Sequence, residues 1–357
     1  MDSAIISVLV PAIVAFVAGI AITPVITHFL YKHKVWKKVA GKGTGYGGGG
    51  TPIFDELHKE KDTNTPRMGG LVILGAIAIT IALFAIWEVV APNSSLAQLD
   101  FLTRSQTWLP VFALVIGAIV GFFDDLLVVS DNGKHWAGGL PLYQRMAVVA
   151  GTALFCGWWF YEKLEVSTIN LIGYGPVELS LWFIPFFVFV AICIYMSSVI
   201  DGIDGLAGGV LMFIFMAYAG IAYTQTQYDI AALCATIVGG ILAFLWFNVP
   251  PARFYMTETG IMALTMCLTV IVFMTDTLGE GEGVSLLPVI GILLVVTVGA
   301  NAIQIISKKA TGKKVFLVAP LHHHFEALGW PAYKVTMRYW ILGFMAAVIG
   351  MVLAIAF

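Results

Sequence analysis

The chain has 357 residues, of which 59% are hydrophobic and 11% charged, with a formal net charge of −2. Soluble globules carry about 25% charged residues, so this composition excludes a water-dissolved domain and describes a chain whose solvent is lipid. The near-neutral balance gives no electrostatic basis for partnership with nucleic acid.

Apolar runs lie near residues 4–31, 69–91, 108–123, 143–161, 181–200, 205–223, 228–247, 260–276, 284–307 and 336–357. Most approach the roughly 20 residues that a spanning helix needs. Their apolarity is continuous, without the alternation of a barrel strand, and backbone polar groups in hydrocarbon must be paired within the segment. The expected fold is therefore all-α: a polytopic membrane protein of about ten transmembrane helices in a single domain over residues 1–357. The first run is too long for a cleavable leader and lacks a basic leading region, so it is expected to be retained.

The loops between runs are strongly asymmetric. Those numbered one, three, five, seven and nine carry Lys32, Lys34, Lys37, Lys38, Lys42, Lys59, Lys61, Arg67, Lys134, Arg145, Arg253, Lys308, Lys309, Lys313, Lys314, Lys334 and Arg338; the others carry only Arg104 and Lys163. Basic residues are retained in cytoplasmic loops, which places the odd-numbered loops inside and both termini outside. The longest loop, 32–67, is expected to be flexible and cytoplasmic. Its glycine tract from Gly41 to Gly50 lacks the Gly-Lys-Ser/Thr ending of a phosphate loop and reads as a linker. Cys156, Cys193, Cys234 and Cys267 lie inside apolar runs and are expected to pack as small hydrophobes.

The odd-numbered loops also hold the chemistry. Asp124 and Asp125 close the third run, and adjacent carboxylates at a membrane boundary repel unless a cation sits between them; a solvated helix end is the plain alternative. Asp201 and Asp204 lie three residues apart in the short, glycine-rich fifth loop, where the following helix directs its positive end; simple capping would need only one of them. Glu258 and Tyr255 stand before the eighth run as a hard oxygen ligand and a stacking ring, or as interfacial decoration. The loop 308–335 carries His322, His323, His324 and Glu326 among lysines. Three consecutive histidines cannot share one helix face, so phosphate or sugar oxygens suit them better than zinc. Carboxylates, imidazoles and cations on one membrane face suit Mg²⁺-assisted phosphoryl transfer.

These residues sit in Thr65-Pro66-Arg67-Met68-Gly69-Gly70, Gly121-Phe122-Phe123-Asp124-Asp125, Asp201-Gly202-Ile203-Asp204-Gly205-Leu206-Ala207-Gly208, Phe244-Leu245-Trp246-Phe247-Asn248 and Ala319-Pro320-Leu321-His322-His323-His324-Phe325-Glu326-Ala327-Leu328-Gly329-Trp330-Pro331. In that order they resemble the phospho-N-acetylmuramoyl-pentapeptide-transferase family, within the polyprenyl-phosphate N-acetylhexosamine-1-phosphate transferases. The triple-histidine segment is the most specific.

The resemblance implies ten helices, a cytoplasmic active site in the bacterial inner membrane, a homodimer and a Mg²⁺ requirement. It implies transfer of phospho-N-acetylmuramoyl-pentapeptide from its UDP carrier to undecaprenyl phosphate, giving lipid I and UMP. Asp124, Asp125 and Asp201 would be the catalytic carboxylates, with His322, His323 and His324; Glu258, Asp124 and Asp125 would hold the metal. Asp204, Gly205 and Leu206 would line a uracil pocket, with Tyr255 in place of a stacking phenylalanine. Arg67, Arg145, Ser198, Asn248, Gln304 and Glu326 complete the implied substrate site.

Several positions depart from the family pattern. Thr257-Glu258 replaces a Gly-Asp whose aspartate is a principal Mg²⁺ ligand. Tyr195 and Ser198 replace two asparagines, Val128 and Asp62 two lysines, Arg145 a third lysine, and Arg67 a threonine. Two alternatives stay open: transfer of N-acetylhexosamine-1-phosphate from a simpler UDP-sugar, which Arg67 favours, and a non-catalytic lipid-binding protein or transporter. The apolar runs show neither central charges nor an internal repeat, which argues against transport.

Overall fold

A computed structural model describes residues 2–38, 64–94, 99–130 and 139–357. The glycine tract and Lys42, Lys59, Lys61, Asp62 and Lys134 lie outside these residues. About 75% of the described residues are helical. The helices are α1 (Asp2–Lys32), α2 (Gly70–Val90), α3 (Trp108–Ser130), α4 (Leu142–Lys163), α5 (Phe183–Met196), α6 (Leu206–Thr224), α7 (Tyr228–Asn248), α8 (Thr257–Met274), α9 (Gly283–Ile290), α10 (Ile292–Thr311), α11 (Leu321–Ala327) and α12 (Ala332–Ala356).

Among the described residues, nine helical stretches are long and apolar enough to cross a membrane. Three departures from the sequence reading have local causes. The fourth apolar run forms α4, but Gln144 and Arg145 near its start and Glu162 and Lys163 at its end leave it outside those nine. The ninth run is broken: α9 contains Pro288 and ends where Gly291 leaves helical geometry (φ −94°, ψ 24°), and α10 starts afresh at Ile292. Proline and glycine are the usual causes of such a break. The all-α fold class fits, with one small addition that the sequence reading lacked: β1 (Thr168–Leu171) and β2 (Gly175–Glu178) pair antiparallel, Thr168 opposite Glu178. Of the four cysteines, three are buried and Cys193 is exposed.

Burial sets the layers. In α8 94% of the most apolar window is buried and in α7 83%, against 22% in α1 and α10, so α7 and α8 form the centre and α1 and α10 the rim. Hydrocarbon supplies no hydrophobic drive between helices, so close backbone approach through small residues does the packing. Gly117 and Gly121, one turn apart on α3, lie directly on α8. A Cβ on Gly117 would come 2.7 Å from the Met262 carbonyl oxygen, and one on Gly121 would strike the Glu258 carbonyl. Gly70 at the start of α2 crosses Gly260 in the same way. This seam carries Asp124 and Asp125, one turn beyond Gly121, onto the first turn of α8.

The two ends of the bundle are distinct. At one end Tyr255 N–H donates to the Pro66 carbonyl, Gly205 N–H to Asn248, and Thr257 N–H to Asp201, tying the first, fifth and seventh loops together. At the other, Thr103 bonds Asp229, Asn170 bonds Asp276 and the Gly281 carbonyl, and Gln225 bonds the Thr275 carbonyl. Alternation of loops in sequence thus becomes segregation in space.

Candidate active site

Asp125 is fully buried and accepts five hydrogen bonds. Its Oδ1 takes Nε and Nη2 of Arg67 at 3.2 and 3.0 Å, and its Oδ2 takes the Thr257 hydroxyl (2.5 Å), the Thr259 hydroxyl (2.6 Å) and the Thr259 N–H (2.9 Å). Carboxylates at the start of a helix are favoured by its dipole. Here the carboxylate arrives from a neighbouring helix and joins α3, α8 and the Pro66–Gly69 segment.

Asp124 is also buried but lightly held. The Leu140 N–H donates to its Oδ1 at 2.6 Å, Arg145 Nε stands 4.0 Å from the same oxygen, and Oδ2 has no hydrogen bond among the described residues. Leu140 reaches it because Gly139 takes a left-handed conformation (φ +72°) against the carboxylate, where a Cβ would be 2.6 Å from Oδ1. Arg145, from the first turn of α4, forms an ion pair with Glu258 Oε1, while Glu258 Oε2 accepts from the Tyr195 hydroxyl at 3.3 Å.

The fifth loop follows a 3₁₀ turn over Ser197–Ile200. Asp201 N–H donates to the Ser198 carbonyl, and Asp201 Oδ2 accepts the Thr257 N–H at 3.0 Å. Burial pushes the Asp201 carboxyl up to about 6, against the lowering effect of that N–H. Asp204 Oδ2 accepts the Ala252 N–H at 3.2 Å. Gly205 turns the chain into α6 in a left-handed conformation (φ +75°) that glycine takes without strain. From α12, Thr336 donates to the Asp204 carbonyl and Trp340 to the Gly205 carbonyl. Leu206, the first residue of α6, is fully buried.

The triple histidine divides as its helical spacing predicts. His322 and His323 are buried against the fifth loop, where a Cβ on Gly202 would lie 2.6 and 2.7 Å from their Nε2 atoms. His323 Nδ1 is 2.7 Å from Glu326 Oε2. His324 turns the other way, its Nδ1 accepting the Leu317 N–H at 3.2 Å. The structure thus brings Arg67, Asp124, Asp125, Arg145, Asp201, Asp204, Glu258, His322 and His323 to one end of the bundle from separate chain segments.

Comparison with known proteins decides the family. Residues 107–276 match the pattern described as Glycosyl transferase family 4. The chain is 30% identical over 346 residues to the phospho-N-acetylmuramoyl-pentapeptide-transferase of Anoxybacillus flavithermus, covering 96% of each chain. It is 32% identical over 347 residues to that of Listeria welshimeri, again covering 96% of both, and 32% identical over 293 residues to that of Lactiplantibacillus plantarum, covering 82% and 84%.

The chain belongs to the phospho-N-acetylmuramoyl-pentapeptide-transferase family.

Within this family member, some residues that resemblance assigns to substrate are committed to the fold. Asn248 is buried with both amide ends in use, accepting the Gly205 N–H at 2.9 Å and donating to the Phe254 carbonyl at 2.7 Å. Gln304 accepts the Val315 and Phe316 N–H groups and donates to the Phe316 carbonyl. Both are braces between loop and helix. Tyr255 exchanges backbone bonds with Pro66 and Gly69 and leaves its ring half-buried. Sequence reasoning missed Thr257 and Thr259 as partners of Asp125, Tyr195 as a partner of Glu258, and the Leu140 N–H on Asp124. Thr257 did carry a signal, since it replaces a glycine of the family pattern; the structure holds it at φ +56°, a region costly for a β-branched residue.

Proposed function

We propose that this chain transfers phospho-N-acetylmuramoyl-pentapeptide from UDP to undecaprenyl phosphate, releasing UMP, at the end of the bundle where the odd-numbered loops meet. The observation that supports this most directly is the convergence of Asp124, Asp201 and Asp204 with Arg67, Arg145 and the His322–His323 pair. By the charge bias of the loops this end is cytoplasmic, and the protein is a multi-pass enzyme of the bacterial inner membrane acting as a homodimer.

In the reaction an oxygen of the lipid phosphate attacks the sugar-bearing phosphorus of the donor. The bond from that phosphorus to the bridging oxygen breaks, and UMP departs with the electron pair. Asp124 and Asp201 each keep one carboxylate oxygen without a hydrogen bond among the described residues. Either can take a proton from the lipid phosphate. Asp201, poised near 6, is ionised for that task at neutral pH. His322 and His323, set over Gly202, are placed to donate to phosphate or sugar oxygens, and Asp204 with Gly205 and Leu206 would face the uracil.

Mg²⁺ is the ion that the resemblance implies. The described residues do not form a ready cage for it: no three His, Cys, Asp or Glu side chains among them are grouped to hold a metal. Asp125 is spent on five donors and Glu258 on Arg145 and Tyr195.

The test is UMP release by the detergent-purified full chain with undecaprenyl phosphate, comparing UDP-N-acetylmuramoyl-pentapeptide with UDP-N-acetylglucosamine. Turnover of the pentapeptide donor is the expected result. Arg67, held on Asp125 where the family pattern has threonine, favours a second reading in which a simpler sugar phosphate is moved. Turnover of only the simpler donor would establish that reading, and turnover of neither would refute both.

A further inference from the structure

The acids of the site are already answered by guanidinium groups. Glu258 spends one oxygen on Arg145 and the other on Tyr195. Arg145 lies between Glu258 and Asp124, and its Nε, 4.0 Å from Asp124 Oδ1, is buried without a hydrogen-bond partner. The side chains of Arg145 and Glu258 are only 19% and 16% exposed, so water does little to screen them. Arg67 meets Asp125 in the same manner on the other side of the cluster.

We propose that Arg145 occupies the cation position between Asp124 and Glu258, so that this chain binds a divalent ion there weakly for as long as the arginine stays. Mg²⁺ demands near-octahedral oxygen ligation at short range. At Glu258 an incoming ion meets a fixed positive charge with no free carboxylate oxygen behind it. Glu258 is one methylene longer than the aspartate of the family pattern, and the added reach carries its carboxylate to Arg145 and Tyr195. The inference relies on the site assigned in the proposed function but not on the identity of the donor.

The test is Mn²⁺ binding to the full chain in detergent, followed by loss of the free aqua-ion signal in electron paramagnetic resonance. Arg145→Gln is expected to bind Mn²⁺ at least about tenfold more tightly than wild type, since a unit charge within a few ångströms is removed from a poorly screened site. Arg145→Lys keeps the charge and is expected to stay near wild type. Arg145→Gln combined with Glu258→Gln is expected to lose the gain. Should Arg145→Gln not fold, Glu258→Asp withdraws the carboxylate from Arg145 without changing charge and is expected to tighten binding in the same direction. Tight stoichiometric binding by wild type, or no tightening in the folded variants, overturns the proposal. UMP release is read separately, so an inactive enzyme with the expected Mn²⁺ pattern would refute the proposed function and leave this inference intact.

Discussion

Replacing Asp125 by Asn separates a carboxylate that holds the site together from one that is available to react. Asn places an NH₂ toward either Arg67 or the threonine end. The Thr257 and Thr259 hydroxyls can rotate and accept from it, but the Thr259 N–H and the Arg67 guanidinium cannot. Losing one or two charge-assisted bonds at about 1.5–3 kcal/mol each, and leaving a mostly buried guanidinium uncompensated, gives an expected loss of about 3 kcal/mol. For a chain of this length that lowers the thermal midpoint by about 5 °C. Asp124→Asn is the matched comparison, because among the described residues Asp124 accepts only the Leu140 N–H. It is expected to melt within about 2 °C of wild type while UMP release falls at least about a hundredfold, the scale of losing an electrostatic partner of the reaction. Thermal unfolding followed by tryptophan fluorescence in one detergent, with UMP release on the same preparations, reads both. Equal melting losses in the two variants, or none in Asp125→Asn, would refute the assignment of Asp125 as the keystone.

Asp201→Asn is expected to abolish turnover and to stabilise the fold at pH 8. The folded carboxyl titrates near 6, above the unfolded value, so ionisation disfavours folding: stability is highest below about pH 4 and is lost as pH rises to about 6. The gain in the variant is at most about 3 kcal/mol, reduced by partial contact with water, and should vanish when melting is repeated at pH 4. A wild type as stable as the variant at pH 8 contradicts this. Asp276, at the opposite end, is buried, titrates near 6 because of that burial, and accepts the N–H groups of Asn170 and Val284 at 2.8 and 2.9 Å. Asp276→Ala is expected to cost about 3 kcal/mol by stranding both donors, with turnover per folded molecule unchanged. Gly121→Val should cost about 3 kcal/mol by forcing α3 from α8 and should remove activity by displacing both aspartates. Gly151→Ala on α4, where an added Cβ meets nothing within 4 Å, should be neutral or slightly stabilising in the same melting series.

What sequence reveals here is governed by the length of the pattern. A 20-residue apolar run and a charge bias spread over nine loops are signals that single residues cannot obscure, and they yielded the helices and the gathering of alternate loops at one end. The break at Gly291 was hidden because α9 and α10 share uninterrupted apolarity, so only Pro288 and one glycine marked it. The hairpin of β1 and β2 is two four-residue strands, too short for period-two alternation to register. In the site, residue type identified the carboxylates and histidines, but not which were spent. Asp124 and Asp125 are adjacent in sequence, yet the roughly 100° step between neighbouring helix residues sends Asp125 to the threonines of α8 and Asp124 to the Leu140 backbone. Asn248 and Gln304, read from sequence as substrate ligands, each also brace a loop through their side-chain amides.

The unusual residues of this family member form one connected set. Thr257 stands at φ +56°, a conformation that costs a non-glycine residue roughly 1–2 kcal/mol. It is held there by its N–H on Asp201, its hydroxyl on Asp125 and the Met68 N–H on that hydroxyl. A glycine would relieve the strain but lose the hydroxyl that helps to saturate Asp125. The next residue, Glu258, turns back toward Arg145 and Tyr195, themselves departures from the family pattern. Arg67, a further departure, completes the cage around Asp125. Changing any one of these alone would leave a buried charge or donor without its partner, at a cost larger than the gain from matching the family residue. Reversion toward the family pattern is therefore expected to cost least stability when the positions change as a group. Glu258→Asp with Arg145→Lys restores the family's carboxylate reach and its lysine together, and should tolerate Thr257→Gly better than the wild-type background does; an additive loss in the triple variant, measured by thermal midpoint, would show that the positions are independent.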